Sequence, residues 1–335
     1  MSRPTIHDVA ARAGVSKSLV SLALRGSPKV SEASREAILQ AAADLGYRPN
    51  AAARSLADRR SRTIGVLILD LHNPVFAEIL DGVQSEVRRH GYSTMLVTGG
   101  ADPALEQSEL EKLLEFQVEG LVLISHRLEA GTLRDIAAEV PTVVVTRRDM
   151  TGPRIDTVSG DDIAGAALAV EYLAGLGHRR IVHLSGGSNP ISRDRERGYS
   201  QGMSASGLPA EERIIAGSLT DGGGYAAAET ALSSGPVPTA FFVANDIAAL
   251  GAIAAVQDHG LRVPEDVSVV GYDGIALGGL RTISLTTIAQ PLTEMGTLAA
   301  TRLFERIERP GGRARNIGLD ASLVARGTTA PPRSS

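Results

Sequence analysis

The residues best suited to hold a ligand stand just after short apolar runs. Asp70, His72, Asn73 and Phe76 follow TIGVLIL, Asn245 and Asp246 follow TAFFVA, Asp273 ends VSVVGYD, Gln290 follows LTTIA, and Arg195 lies beyond SGGSNPIS. Carboxylates and amides offer fixed partners for hydroxyl groups, and one aromatic ring offers an apolar face, so the set suits a polyhydroxylated small molecule. A sugar is the leading expectation, with a nucleoside or another small metabolite as the alternative. Asn245 and Asp273 also fit a plainer role, capping or turning the chain after a strand. Asp161 and Asp162 read as helix caps rather than catalytic carboxylates. Arg193 and Arg197 flank Arg195, which leaves the ligand-facing arginine open by one helical turn. No P-loop, nucleophile elbow or His-x-x-x-His zinc pattern is present, and the seven histidines are scattered. No catalytic set, metal site or cofactor is therefore expected.

A second group of residues is arranged to meet phosphate and base edges. In TIHDVAARAGVSKSLVSLAL, residues 5–24, Ile6, Val9, Ala10 and Ala13 give one helix an inner face. Thr5 and Asp8 form its Thr-x-x-Asp start, Gly14 permits a left-handed turn, and Ser16 caps a second helix. There Val20, Ala23 and Leu24 point inward, leaving Ser18, Ser21, Leu22 and Arg25 on the opposite face. This is the layout of a helix-turn-helix, whose second helix enters the major groove by its N-terminal end. Ser31 caps a third helix with the stripe Ile38, Ala41, Ala42 and Leu45, ended by Gly46. Charge agrees: residues 1–62 carry 11 Lys and Arg against 5 Asp and Glu, a net of +6, whereas the remainder carries 23 against 33, a net of -10. A basic head on an acidic body suits a chain whose head alone meets nucleic acid.

Both groups need scaffolds, and the hydrophobic pattern supplies them. From Thr63 onward, apolar runs of strand length alternate with amphipathic helical stretches in two series, which signals parallel sheets covered on both faces and hence two doubly wound lobes. LTTIAQP and Leu292 to Glu308 are expected to return to the first lobe. The candidate ligand residues then gather at carboxyl ends of strands, where open sheets bind ligands. Between head and body, Pro49 stops the preceding helix, Asn50 can cap a new one, and Ala51 to Asp58 favour a helix. At about two turns it is marginal in isolation. The chain's 335 residues, 43% of them hydrophobic, allow several cores. No apolar run is long enough to span a membrane, no secretory signal is visible, and cysteine is absent, so a cytoplasmic, nucleoid-associated location is expected.

TIHDVAARAGVS, GSPKVSEASREAILQAAADLGYRPNAAARSL and TIGVLILDLHNP together resemble the lac repressor (LacI/GalR) family of bacterial transcription regulators, over nearly the whole chain and most strongly over residues 5–76. The resemblance implies an α/β protein: an all-α helix-turn-helix head (1–49), a hinge helix and linker (50–62), and an effector-binding and dimerisation body (63–335) with two doubly wound lobes of periplasmic-binding-protein type. The first lobe would take about 63–158 plus 287–320, and the second about 159–286. Implied DNA contacts are Thr5, Ser16, Lys17, Ser18, Ser21, Leu22, Lys29 and Ser31 in the head, with Asn50, Ala53 and a wedging Leu56 at the hinge. Positions matching Phe76, Arg195, Asn245, Asp273 and Gln290 contact effectors in relatives, and Asp246 joins Asn245 as a candidate. Implied partners are pseudo-palindromic operator DNA, a small-molecule effector and, since no terminal leucine heptad follows LVARGTT, a single second copy.

Three positions depart from the family pattern. Leu22 stands where many members carry an arginine that reads guanine edges, Leu19 where a threonine is common, and Thr146 where an effector-binding aspartate is frequent. Leu22 can offer only apolar contact, as to a thymine methyl, while Lys17 remains a candidate for guanine. The expected protein is a dimeric repressor and not an enzyme. Its rivals are a solute-binding transport protein, which the two-lobed body alone would permit, and a sugar-metabolising enzyme with a fused DNA-binding head.

Overall fold

The structure is a computed structural model that describes residues 4–48 and 60–333. The expected hinge helix, with Asn50, Ala53 and Leu56, lies outside the described residues. The chain divides into two compact units, Met1–Arg62 and Thr63–Ser335.

In the first unit, helices α1 (Ile6–Ala13), α2 (Lys17–Leu24) and α3 (Glu32–Asp44) enclose a small core around Val9, Val20 and Ile38, none of which is exposed. The ends are fixed as the residue types demand. The Asp8 carboxylate accepts both the Thr5 N–H and its hydroxyl at 2.8 Å, which holds its pKa below the usual range. Gly14 adopts φ 66°, a conformation that costs little without a Cβ. Ser16 Oγ accepts from Leu19 N at 3.2 Å and Ser31 Oγ from Ser34 N at 3.3 Å. Arg35 on α3 reaches back to the carbonyls of Ala23 and Ser27 at 3.1 and 2.6 Å, tying α3 to the end of α2.

The second unit contains two six-stranded sheets. The first carries β1 (Thr63–Ile68), β2 (Ser93–Thr98), β3 (Gly120–Ile124), β4 (Thr142–Val145), β5 (Ile155–Gly160) and β11 (Asn316–Leu319), in the order β11-β5-β4-β3-β1-β2 and parallel throughout. The second carries β6 (Ile181–Leu184), β7 (Arg213–Ile215), β8 (Ala240–Val243), β9 (Ser268–Asp273), β10 (Thr286–Ala289) and β12 (Ser322–Val324), in the order β12-β10-β9-β8-β6-β7; only β12 runs antiparallel to its neighbour. The continuous Val, Ile and Leu runs of the central strands are buried on both faces, as parallel sheets require.

Two assignments differ from the sequence reading. LTTIA does not return to the first lobe: β10 pairs with β9, Ala289 beside Asp273. Its threonines are polar anchors for the second lobe, since Thr287 Oγ1 donates to Asp246 at 2.6 Å and Thr286 N–H to Thr328 Oγ1 at 2.9 Å. The crossing therefore falls at Gln290–Pro291 rather than at residue 287. IDTVSG forms β5, a strand with no apolar run to announce it, yet every residue in it is buried. Asp156 is tolerated there because Arg302 and Arg306 donate to its carboxylate at 2.8 to 3.0 Å.

The helix Pro74–Arg89 packs on the helix Leu292–Glu308 through paired glycines. A Cβ on Gly82 would stand 2.0 Å from the Thr293 carbonyl oxygen, and one on Gly296 1.9 Å from that of Ile79. The two backbones therefore approach more closely than any larger residue allows. This pair covers the first sheet with Ile79, Val83, Met295 and Leu303.

Candidate functional site

The carboxyl ends of both sheets face a cleft. Three strand-end residues other than glycine are left-handed: Ser125 after β3 (φ 58°), Thr146 after β4 (φ 72°) and Asp273 at the end of β9 (φ 108°). For a β-branched threonine that conformation is strained, and such strain is held where the surroundings fix it, often at ligand sites. The Thr146 hydroxyl is buried and has no hydrogen-bond partner.

The cleft has a narrow deep end of about 40 Å³, bordered by Thr146, Asp162, Arg195, Asn245, Asp273 and Gln290. It adjoins a chamber of about 850 Å³, and the two share Asn73, Phe76, Ser125, Ile191 and Leu219.

Arg195 organises the deep end. It is 4% exposed, and its Nε donates to Asp162 Oδ1 at 2.9 Å, its Nη2 to Asp273 Oδ1 at 3.0 Å and its Nη1 to the Ala244 carbonyl. Its guanidinium carbon lies 3.7 Å above the Tyr272 ring centroid. Burial opposes the charge, but Asp273 and Asp162 more than offset it, so Arg195 stays cationic. Burial outweighs the arginine at Asp273 and lifts that carboxyl to about 6. Gln290 Nε2 also donates to Asp273 Oδ1, at 2.9 Å. Asn245 caps the helix Asp246–Asp258 through Oδ1 and gives its amide N–H to the Leu219 carbonyl.

The structure thus brings Phe76, Arg195, Asn245, Asp273 and Gln290 to one cavity wall. Of the three arginines, Arg195 borders the deep end, whereas Arg193 donates to the Ser188 carbonyl and Arg197 pairs with Asp194 at the surface. Asp246 is not among the cavity residues. Its carboxylate accepts from Gly274 N, Ile275 N and Thr287 Oγ1 at 2.6 to 2.9 Å, and burial together with the Asp273 charge lifts it to about 7. Asp246 therefore pins the loop after β9. On that loop Ile275 is buried in the core of the first lobe, and Ala276 N–H donates to Glu78 Oε1 at 3.1 Å, so the loop reaches across the cleft. Of the residues after β1, Asp70 Oδ1 accepts from His72 N and Asn73 N, and Asn73 caps the following helix.

Asp162 is the residue that sequence reasoning missed. Its neighbour Asp161 is indeed a cap, accepting from Ala164 N at 3.1 Å, whereas Asp162 turns inward to Arg195. Two acids in succession at a helix start were the available signal, because one cap needs only one of them.

In the head, Lys17 and Ser18 are exposed and Leu22 is 36% exposed on α2, and Lys29 is exposed in the turn between α2 and α3. Ser21 is half-buried and accepts from Arg25 at 3.0 Å. Thr5, Ser16 and Ser31 lie exposed at helix starts, their hydroxyls engaged in the caps. Leu19, at a position of the departed pattern, is half-buried and packs against the head core with Leu24.

A three-helix head of helix-turn-helix layout and a two-sheet body with a polar cleft define a ligand-responsive DNA-binding regulator. Residues 5–50 match the model of bacterial regulatory proteins of the lacI family, and residues 170–329 that of the periplasmic binding protein-like domain. The chain is 35% identical to the ribose operon repressor of Haemophilus influenzae, over 96% of this chain and 97% of that protein. It resembles the lac repressor dimer bound to operator and the anti-inducer ONPF with a TM-score of 0.87 and 30% identity, covering 98% of this chain and all of the other. A LacI family regulator from Enterococcus faecium with bound ribose gives a TM-score of 0.74 at 27% identity, over 81% of this chain and all of that one. The chain belongs to the LacI family of bacterial transcription regulators.

Proposed function

We propose that this protein is a dimeric, non-enzymatic repressor in the cytoplasm, at the nucleoid, whose affinity for a pseudo-palindromic operator is set by a sugar or sugar-bearing metabolite in the interlobe cleft. The observation that carries the effector reading is the fixed array of Arg195, Asp273, Asn245 and Gln290 at the foot of the cavity, which offers charged and amide partners to hydroxyl groups. Phe76, buried and bordering both parts of the cavity, offers the apolar face a sugar ring needs. The relatives named for ribose support the same class of ligand. Lys17, Ser18 and Leu22 would read base edges, while Lys29 and the capped helix starts at Thr5, Ser16 and Ser31 would meet phosphate.

The proposed switch runs through the hinge. A ligand that favours one lobe closure changes the spacing of the two hinges in a dimer, and a two-turn helix from Asn50 is too short to persist without its contacts. Asn50, Ala53 and Leu56 would then leave the minor groove together. A thermal-shift screen of sugars and nucleosides, followed by a gel shift on DNA from the protein's own promoter region with and without each hit, tests the reading. A hit that raises the melting temperature and alters the gel shift supports it. Turnover of a hit would favour an enzyme instead. Leu56→Ala should weaken specific binding far more than nonspecific binding, and equal losses would count against the hinge.

A further inference from the structure

The loop after β9 leaves one lobe and ends in the other. Asp273 closes β9 at the deep end of the cleft, and Ile275, two residues on, is 1% exposed in the core of the first lobe. The Ala276 N–H then donates to Glu78 Oε1 at 3.1 Å. Glu78 stands on the helix Pro74–Arg89, between the buried Phe76 and Ile79. Three residues therefore join a cavity carboxylate to the helix that covers the first sheet, and even fully extended they reach only about 10 Å.

That segment has no slack. Asp273 and Gly274 are both left-handed, at φ 108° and 79°. A Cβ on Gly274 would stand 2.6 Å from the Ala289 Cα, so the backbone lies against the end of β10. The Asp246 carboxylate accepts from Gly274 N and Ile275 N at 2.8 and 2.9 Å. A segment pinned at its start and packed into a core at its far end passes a displacement on, because close-packed interiors yield little.

A second connection starts at the same residue. The Gln290 N–H donates to the Asp273 carbonyl at 3.0 Å and its side chain to Asp273 Oδ1 at 2.9 Å, and Pro291 then opens the helix Leu292–Glu308. That helix is the one seated against Pro74–Arg89 at Gly82 and Gly296. Both routes from Asp273 arrive at one helix pair.

We propose that Asp273–Ala276 is a strut that carries effector occupancy from the cleft to this helix pair, with Ile275 and Glu78 as its positioning residues. An effector that engages the Asp273 carboxylate shifts Ile275 in its seat and turns the first lobe against the second. Neither Ile275 nor Glu78 is among the residues that border the deep end or the chamber, so they act on the response and not on effector affinity. The inference rests on the cleft being the effector site.

The test separates affinity from response. Full-length protein is titrated calorimetrically with ribose, glucose, adenosine and cytidine, and a gel shift on DNA from its own promoter region is run with and without the tightest of them. The ratio of the two DNA dissociation constants is the response, a coupling between sites. Glu78→Ala, which loses the acceptor for Ala276, should bind the probe within about threefold of wild type, a change of less than the roughly 1 kcal/mol of one hydrogen bond, yet lose much of the response. Glu78→Gln, whose amide oxygen can accept the same N–H, should recover it. Ile275→Ala should lose the response as well; circular dichroism reports its folding, and the Glu78 pair carries the test if it unfolds. A wild-type response in Glu78→Ala, or a loss of probe affinity as large as the loss of response, overturns the inference. A double-mutant cycle without any sugar addresses the strut directly. Asp273→Asn and Glu78→Ala, at its two ends, should be non-additive in DNA affinity by at least about threefold, beyond the scatter expected of independent sites. If no probe binds the wild type, or Arg195→Lys binds as tightly, the cleft reading falls and takes the strut's role with it. An additive cycle beside intact probe binding removes the strut alone.

Discussion

Arg195 and Asp273 are joined at 3.0 Å in a site where the same guanidinium also holds Asp162 at 2.9 Å, so one cation serves two buried carboxylates. Arg195→Ala would leave both without their counter-charge. Breaking a buried pair in this way costs about 3–5 kcal/mol, which a urea titration would register as a lower midpoint. Arg195→Lys keeps the charge but not the fork that spans both acids and Ala244, so it should retain more stability while losing effector response in a gel shift. A lysine variant that responds to effector as wild type would remove Arg195 from the site.

Asp246 makes the stability of the body depend on pH. Its folded pKa of about 7 lies above the unfolded value, so the folded state binds the extra proton, and this term is lost as pH rises through the folded pKa. Asp246→Asn retains every hydrogen bond, with the amide oxygen facing Gly274 and Ile275 and the amide N–H facing Thr287. The melting temperature of the variant should climb relative to wild type from about pH 5 to about pH 8. A difference that stays flat across that range would show that Asp246 is ionised throughout. Because His126 and His183 are both held near 4 by burial and act in the opposite sense, the difference between the two proteins is the informative quantity.

Gly82→Ala should destabilise the first lobe by about 1–3 kcal/mol, the usual cost of forcing atoms into a packed interface. The added methyl would meet a backbone oxygen at 2.0 Å, which no side-chain rotation relieves. Gly131→Ala is the control, since a Cβ there meets nothing within 4 Å. Thermal denaturation of the two variants should separate them clearly.

Leu22→Arg should change what the head reads. The leucine is exposed on α2 between Ser18 and Arg25 and has no polar atom to offer a base. An arginine there can make a bidentate contact to guanine worth about 1–3 kcal/mol in discrimination. Binding-site selection with both proteins should yield half-sites that differ at one position. Identical half-sites would mean that residue 22 does not touch a base.

The two-lobed plan was legible because parallel strands buried on both faces carry dense Val, Ile and Leu runs, and the helix caps at Ser16, Ser31 and Asn245 were legible from residue type alone. What stayed hidden depended on distant partners. β5 is buried through Asp156, whose arginines come some 150 residues later, and no local pattern reports that. β10 reads like any short apolar strand, and only its threonine bonds to Asp246 and Thr328 assign it to the second sheet. In the site, residue types at strand ends pointed to Asp273 and Gln290, while Arg195 could not be told from Arg193 and Arg197 by residue type. They could not separate Asp246, which faces the loop after β9, from Asn245 beside it, nor recognise Asp162 behind its capping neighbour.

The chain passes between the lobes at Asp161, at Gln290–Pro291 and again at Asp320–Ala321. No contiguous stretch of the gene therefore encodes a complete lobe. A stop codon after Pro291 would strip β11 from one sheet and β12 from the other, together with the helix that covers the first sheet. Neither half of the sensor can be inherited, expressed or lost alone, and a frameshift between Pro291 and β11 should be as damaging as one in the middle of the body.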